Sequence, residues 1–217
     1  MSVNNKPQAP KVAVIIVTYN RRELLCQCLE KISQQSVPVN TIIVVDNASI
    51  DNSEGYIRDQ GWFEKSPLQW LRLSENEGGA GGFHNGLKEA LASDCQFVWL
   101  MDDDGYPEKD CLERLLRTIN SNEIVGPIVL NSRNTTELSF AFRKPGTKLV
   151  LNTAKEVLNL YGEDCENILF PFNGTLLSLD TVTKIGLPKK EYFIWGDETE
   201  YILRAKKCGL SVRTINS

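Results

Sequence analysis

The chain has no CxxC pair, and His84 is its only histidine. Its six cysteines (Cys26, Cys28, Cys95, Cys111, Cys165 and Cys208) are scattered. Cys26 and Cys28 lie two apart in a helical pattern and face different ways, so they do not jointly hold a metal. Reduced, mostly buried thiols in a cytosolic chain are the expectation. A lone histidine near a helix start, as His84 is, reads as a surface or packing residue. Long hydrophobic runs are missing too. The longest aliphatic stretch, VAVIIV at 12–17, is far too short to span a bilayer. The first eleven residues, MSVNNKPQAPK, contain no apolar core of a secretory signal, and residues 1–10 are expected to be a disordered lead-in. A net charge of -4 with no Lys/Arg-rich block gives no electrostatic footprint for nucleic acid.

What is present is an alternation. KVAVIIVTYN reads as a strand buried on both faces. Asn20 is then placed to cap a helix, with Glu23 three residues on in the capping-box position. Leu24, Leu25, Cys28, Leu29 and Ile32 follow at helical spacing. TIIVVDNAS, PLQWLRL, QFVWLM and EIVGPIVL supply further strands, and Phe83, Leu87, Ala90, Leu91 and Leu112, Leu115, Leu116, Ile119 mark further helices. Such alternation predicts an α/β domain with a mostly parallel central sheet flanked by helices. From about residue 131 the strands ELSFAFR, KLVL and GTLLSL are short and helices are scarce. This half is expected to complete the sheet, giving one domain over 11–217, with a nucleotide-binding part at 11–130 and an acceptor-side part at 131–217.

In open parallel sheets, ligands bind beyond the carboxyl ends of the strands. Polar clusters stand at three such ends: TYNRR, DNAS and DDD. The last is Asp102, Asp103 and Asp104, three adjacent like charges that call for something positive. An EF-hand is excluded, because Tyr106 and Pro107 occupy positions where that loop needs an oxygen ligand and a glycine. Hard carboxylates at a buried strand's end suit Mg²⁺ or Mn²⁺, bound together with substrate phosphates. A second cluster, NEGGAGGFHNG from Asn76 to Gly86, fits neither GxGxxG nor a P-loop. Four glycines in five positions still require close backbone approach or positive φ. The third is FIWGDETEYILRAKKCG. Asp197 and Glu200 are spaced as a helix N-cap and its reciprocal partner, with Gly209 closing the helix. Glu198 has no capping duty, which makes it the candidate general base.

The segments VTYNR, VVDNAS, NEGGAGGF, WLMDDDG and FIWGDETEY, in that order over roughly residues 11–215, resemble family 2 glycosyltransferases of the GT-A fold. The likeness is to the galactofuranosyltransferase-like and rhamnosyltransferase-like branch. It implies residue roles. Thr18, Tyr19 and Arg21, with Asp46, would form the nucleotide-base pocket. Asn76, Gly79, Ala80, Gly81 and Gly82 would surround the ribose and diphosphate. Asp102 and Asp104 resemble the outer acids of a DXD motif, serving donor and metal (Mn²⁺ or Mg²⁺), and Asp103 is counted with the donor contacts. Asp197 and Glu198 match the acidic pair that contains the base, and Trp195, Asn173 and Gly174 match the acceptor side. In this branch a histidine shortly after the acidic helix completes the metal site. The chain ends at Ser217 before one occurs, so the resemblance implies a core cut short of a C-terminal region that could also carry acceptor, membrane or oligomer contacts.

The resemblance thus implies an inverting transferase that moves a sugar from a UDP-galactofuranose-type or dTDP-rhamnose-type donor. The acceptor would be a glycan or lipid-linked, at the cytoplasmic face of the membrane, in surface polysaccharide synthesis. Two alternatives stand beside it: a non-catalytic nucleotide-sugar-binding module, and a nucleotidyltransferase of related topology. The latter is disfavoured because no glycine-rich loop with Arg and Lys follows the first strand.

Overall fold

The computed structural model describes residues 9–144, 146–168 and 172–215. Most of the expected lead-in, residues 1–8, lies outside them. The elements run β1 (Val12–Thr18), α1 (Arg22–Ser33), β2 (Thr41–Asp46), α2 (Ser53–Asp59), α3 (Trp62–Lys65), β3 (Leu68–Arg72) and α4 (Gly78–Ala90). Next come β4 (Phe97–Asp102), α5 (Cys111–Thr118), β5 (Glu123–Pro127), β6 (Leu130–Asn131), β7 (Asn134–Arg143), β8 (Val150–Thr153) and α6 (Ala154–Tyr161). The described chain closes with β9 (Asp164–Glu166), β10 (Thr175–Ser178), α7 (Leu179–Ile185), α8 (Asp197–Lys207) and β11 (Ser211–Ile215), with a 3-10 turn at Lys190–Tyr192.

Eight strands form the main sheet in the order β3-β2-β1-β4-β10-β5-β11-β9. β3, β2, β1 and β4 are mutually parallel, as are β5 and β11; β10 and β9 run against their neighbours. The sheet is therefore mixed but mostly parallel. β1 is buried at every position and sends alternate side chains to opposite layers. Val12, Val14 and Ile16 pack with Leu25, Leu29 and Ile32 of α1 and Leu112 and Leu115 of α5. Ala13, Ile15 and Val17 pack with Phe83 and Leu87 of α4 and Tyr201 of α8.

Three expectations need correction. From residue 131 helices are not scarce: α6, α7 and α8 all fall there. That half also only partly completes the sheet. β9, β10 and β11 join it, whereas β6, β7 and β8 form a separate three-stranded sheet with its own small core around Phe142, Leu151 and Val157. Finally, Asn20 does not cap α1. It sits at φ +56° and its Oδ1 accepts from the Ile50 N–H at 2.7 Å, while Glu23 pairs with Arg22. The side chain is thus committed to the β2–α2 loop, and α1 begins at Arg22 without a side-chain cap.

Candidate active site

The pairing of β1 with β2 and β4 sets Thr18 opposite Asp46 and Val17 opposite Asp102, so three carboxyl ends stop level. The segment before α8 faces them. Between the two sides opens a cavity of about 1010 Å³. Thr18, Tyr19, Arg21, Asn76, Gly79 and all three aspartates line it on one side. Asn173, Trp195, Asp197 and Glu198 also reach its wall. Folding therefore brings these residues from five separate stretches of sequence to one hollow.

Asp46, Ala80, Gly81, Gly82 and Gly174 do not line that cavity; each is buried. Asp46 is fully enclosed, with Oδ1 accepting from the Ser49 N–H at 2.7 Å and Oδ2 paired to Arg72 at 2.6 Å. Gly174 belongs to the turn entering β10, where its N–H donates to the Leu100 carbonyl and its own carbonyl accepts from Trp99 Nε1. The glycine cluster is not a loop but the opening turns of α4. A Cβ on Gly82 would lie 2.4 Å from Val17 Cγ1, so that glycine serves helix-to-sheet packing. Gly79 alone of the cluster's four glycines at 78, 79, 81 and 82 has open space, with nothing within 4 Å of an added Cβ.

The positive group that the three aspartates demand is Arg21. Its guanidinium lies 3.2 Å from Asp103 Oδ1 and 3.3 Å from Asp104 Oδ2, and the charge of Asp103 raises its own pKa. Asp103 also accepts from Thr18 Oγ1 at 2.8 Å. Burial still pushes Asp103 up to about 6. Asp102 receives least help. Burial and the charges of Asp104 and Asp103 raise it to about 7, against only the more distant pull of Arg21. A divalent cation facing Asp102 and Asp104 would relieve that cost. Among the described residues, no group of three or more His, Cys, Asp or Glu side chains converges to hold one. A cation held by these two carboxylates would take its other ligands from a phosphate and water, as Mg²⁺ and Mn²⁺ do.

Glu198 is half-buried, and burial, a hydrogen bond that its protonated form donates to Asp197, and the charge of Asp197 lift it to about 7. The capping expectation fails here. Gly196, at φ +94°, precedes the helix, Asp197 is its first residue, and no side chain caps it. Glu200 instead binds Arg204 and Lys189. Gly209, at φ +74°, does follow the helix as expected.

Sequence reading missed Asn47, which is buried in the cavity wall. Its Nδ2 donates to the Gly78 carbonyl at 3.0 Å while Oδ1 is buried without a partner. The VVDNAS motif held that signal. Arg143 of β7 and Lys206 of α8 also line the cavity, and nothing local marks either.

The model for the family described as Glycosyl transferase family 2 matches residues 13–171. The chain belongs to that family. Galactofuranosyltransferase GlfT1 of Mycolicibacterium smegmatis is 32% identical over 208 residues, which are 94% of this chain and 68% of the relative. The protein of the same name from Mycobacterium tuberculosis is 31% identical over 212 residues, covering 94% and 67%. Among solved structures, mannosyltransferase PcManGT from Pyrobaculum calidifontis, in complex with GDP-Man and Mn²⁺, superposes at a TM-score of 0.69 with 18% identity. The match covers 97% of this chain and 55% of that one. S. aureus TarS 1–349 with UDP gives 0.67 at 16% identity, covering 95% and 58%. These likenesses show the GT-A fold. The chain thus spans about two thirds of its curated relatives and less of the solved chains. No helix of the described residues is long and apolar enough to cross a membrane.

Proposed function

We propose that this member of family 2 is an inverting glycosyltransferase using a nucleoside-diphosphate sugar, with the 1010 Å³ cavity as its donor and acceptor site. The observation that carries the reading is the meeting, in one hollow, of three strand-end aspartates with a second acidic pair, Asp197 and Glu198, of which Glu198 is raised to about 7. Perturbed carboxylates of two environments facing one cavity are an arrangement suited to catalysis.

On this reading the diphosphate lies near Asn76 and the open Gly79, the ribose offers a hydroxyl to Asn47 Oδ1, and Thr18, Tyr19 and Arg21 border the base. Asp46 would act from beneath, through Ser49 and Arg72, because its own oxygens are enclosed. Asp102 and Asp104 would hold Mn²⁺ or Mg²⁺, which when bound would neutralise the departing diphosphate. Glu198 takes the proton from an acceptor hydroxyl. That oxygen bonds to the anomeric carbon as the carbon–oxygen bond to the diphosphate breaks, and the configuration inverts. Asn173 and Trp195 border the acceptor, a glycan or lipid-linked sugar of the cell surface. The names of the mycobacterial relatives favour UDP-galactofuranose as donor. dTDP-rhamnose is the second choice.

A panel of UDP-galactofuranose, dTDP-rhamnose and GDP-mannose, scored for release of the nucleoside diphosphate, tests this. Release from a uridine or thymidine donor is expected. Nucleotide binding without turnover of any donor would support a non-catalytic binding module instead.

A further inference from the structure

Glu77, His84, Asn85 and Lys190 do not line the cavity, yet they join its two sides. Lys190 Nζ lies 2.7 Å from Glu77 Oε2, and Asn85 Nδ2 donates to the same oxygen at 2.9 Å. His84 Nδ1 is 2.8 Å from the Pro188 carbonyl, which can only accept, so the proton sits on Nδ1. The Ala80 N–H, in the first turn of α4, donates to the Phe193 carbonyl at 3.1 Å. Two glycines permit this approach. A Cβ on Gly78 (φ +70°) would stand 2.2 Å from Phe193 O, and one on Gly81 2.2 Å from Glu77 Cβ.

The other flank of the same segment is clamped to α8. Lys189 pairs with Glu200 at 3.1 Å, and Arg204 donates to the carbonyls of Ile185 and Leu187. Between the two clamps the backbone takes positive φ at Phe193 (+55°), Trp195 (+75°) and Gly196 (+94°). Bulky residues hold such angles only where surrounding contacts impose them. The outcome is a Trp195 that is 80% exposed, two residues before Asp197 and three before Glu198.

We propose that Glu77 and Lys190, with Asn85 and His84 beside them, are positioning residues that tie the first turn of α4 to Trp195 and Glu198. The inference rests on the turn at Asn76–Gly79 being the donor site. A nucleotide seated there adjoins Glu77, the residue that Lys190 grips from the far side of the cavity. Displacement of Glu77 therefore reaches the 190–196 segment through an ion pair and a helix-start hydrogen bond. The donor side and the acceptor side are then set as one unit.

Titration of the whole chain with UDP in Mn²⁺, followed by tryptophan emission, tests this. Trp195→Phe identifies the share of Trp195 among the four tryptophans. UDP is expected to shift Trp195 emission in the wild type. Lys190→Met should bind UDP within about threefold of wild type, since a partly exposed ion pair carries little energy, yet lose the shift, and Glu77→Gln should lose the shift as well. The exchanged pair Glu77→Lys with Lys190→Glu should recover it. Lys190→Met, at a 38%-exposed side chain, carries the test if Glu77→Gln loses the start of α4. A wild type that binds no UDP contradicts the donor-site reading and the inference with it. Four results overturn the inference alone: UDP binding without a Trp195 response, a response kept in both single variants, an exchanged pair that binds UDP without recovering it, and UDP affinity lost in Lys190→Met.

Discussion

Glu198 lies half-buried against a second carboxylate, and both conditions keep a proton on it to about pH 7. A base must be ionised, so release of nucleoside diphosphate, as kcat/KM, is expected to rise as pH climbs through about 7 and then level. Glu198→Gln keeps the shape and removes the base; UDP affinity should persist while turnover falls at least ~100-fold. Near-normal turnover would pass the role to Asp197. Asp46 poses a different case. Its enclosed carboxylate holds the Ser49 N–H and Arg72, so Asp46→Ala should cost about 1–3 kcal/mol of stability in denaturant melts, by leaving a buried donor unpaired. The expectation that Asp46 belongs to the nucleotide-base pocket came from the resemblance of VVDNAS to the family. The Arg72 that claims it arrives from β3, and pairing between strands is not written in either segment alone.

At the scale of elements, α4 separates what glycine does for the fold from what it does for the ligand. Gly82→Ala drives a methyl into Val17 and should destabilise by about 1–3 kcal/mol. Gly79→Ala meets nothing and sits in a helix, so its melting temperature should hold or rise, by up to about 1 kcal/mol of helix propensity. If the diphosphate approaches that turn, the same variant loses UDP affinity. Equal UDP binding by Gly79→Ala and wild type would remove the turn from the donor site. The buried strands and the stripes of α1, α4 and α5 were legible, because apolar periodicity reports burial directly. The caps were not. Asn20 and Asp197 have capping chemistry, but Asn20 is engaged by Ile50 and Asp197 by Glu198, partners that tertiary structure supplies. The antiparallel β10 between β4 and β5 was illegible for a similar reason: a short apolar strand carries no mark of its direction.

For the whole molecule, the cavity concentrates acids that the native fold keeps more protonated than the unfolded chain does. Asp102 stands at about 7, Asp103 at about 6 and Glu198 at about 7, against ordinary values of 3.8 and 4.5. Between those limits the native state binds the extra protons, so these groups make stability fall as pH rises from about 4 to about 7. A ligand complex that neutralises the ionised acids has the opposite sign. The rise in melting temperature on adding UDP and Mn²⁺ should accordingly be larger at about pH 8 than at about pH 5.5. The three aspartates could be read as a candidate site from sequence because nothing about a turn requires them. Arg143, Lys206 and the small β6–β8 sheet could not, since only the folded chain brings them to the same hollow.

Calorimetric titration of UDP into the chain, with Mn²⁺ and then with EDTA, decides whether the strand-end aspartates hold a cation together with the donor's diphosphate. Binding is expected to be at least about tenfold tighter with Mn²⁺, a gap of about 1.4 kcal/mol or more, and that gap should disappear in the Asp102→Asn, Asp104→Asn double variant. Equal affinity with and without the cation, or no UDP binding in either, would contradict this expectation.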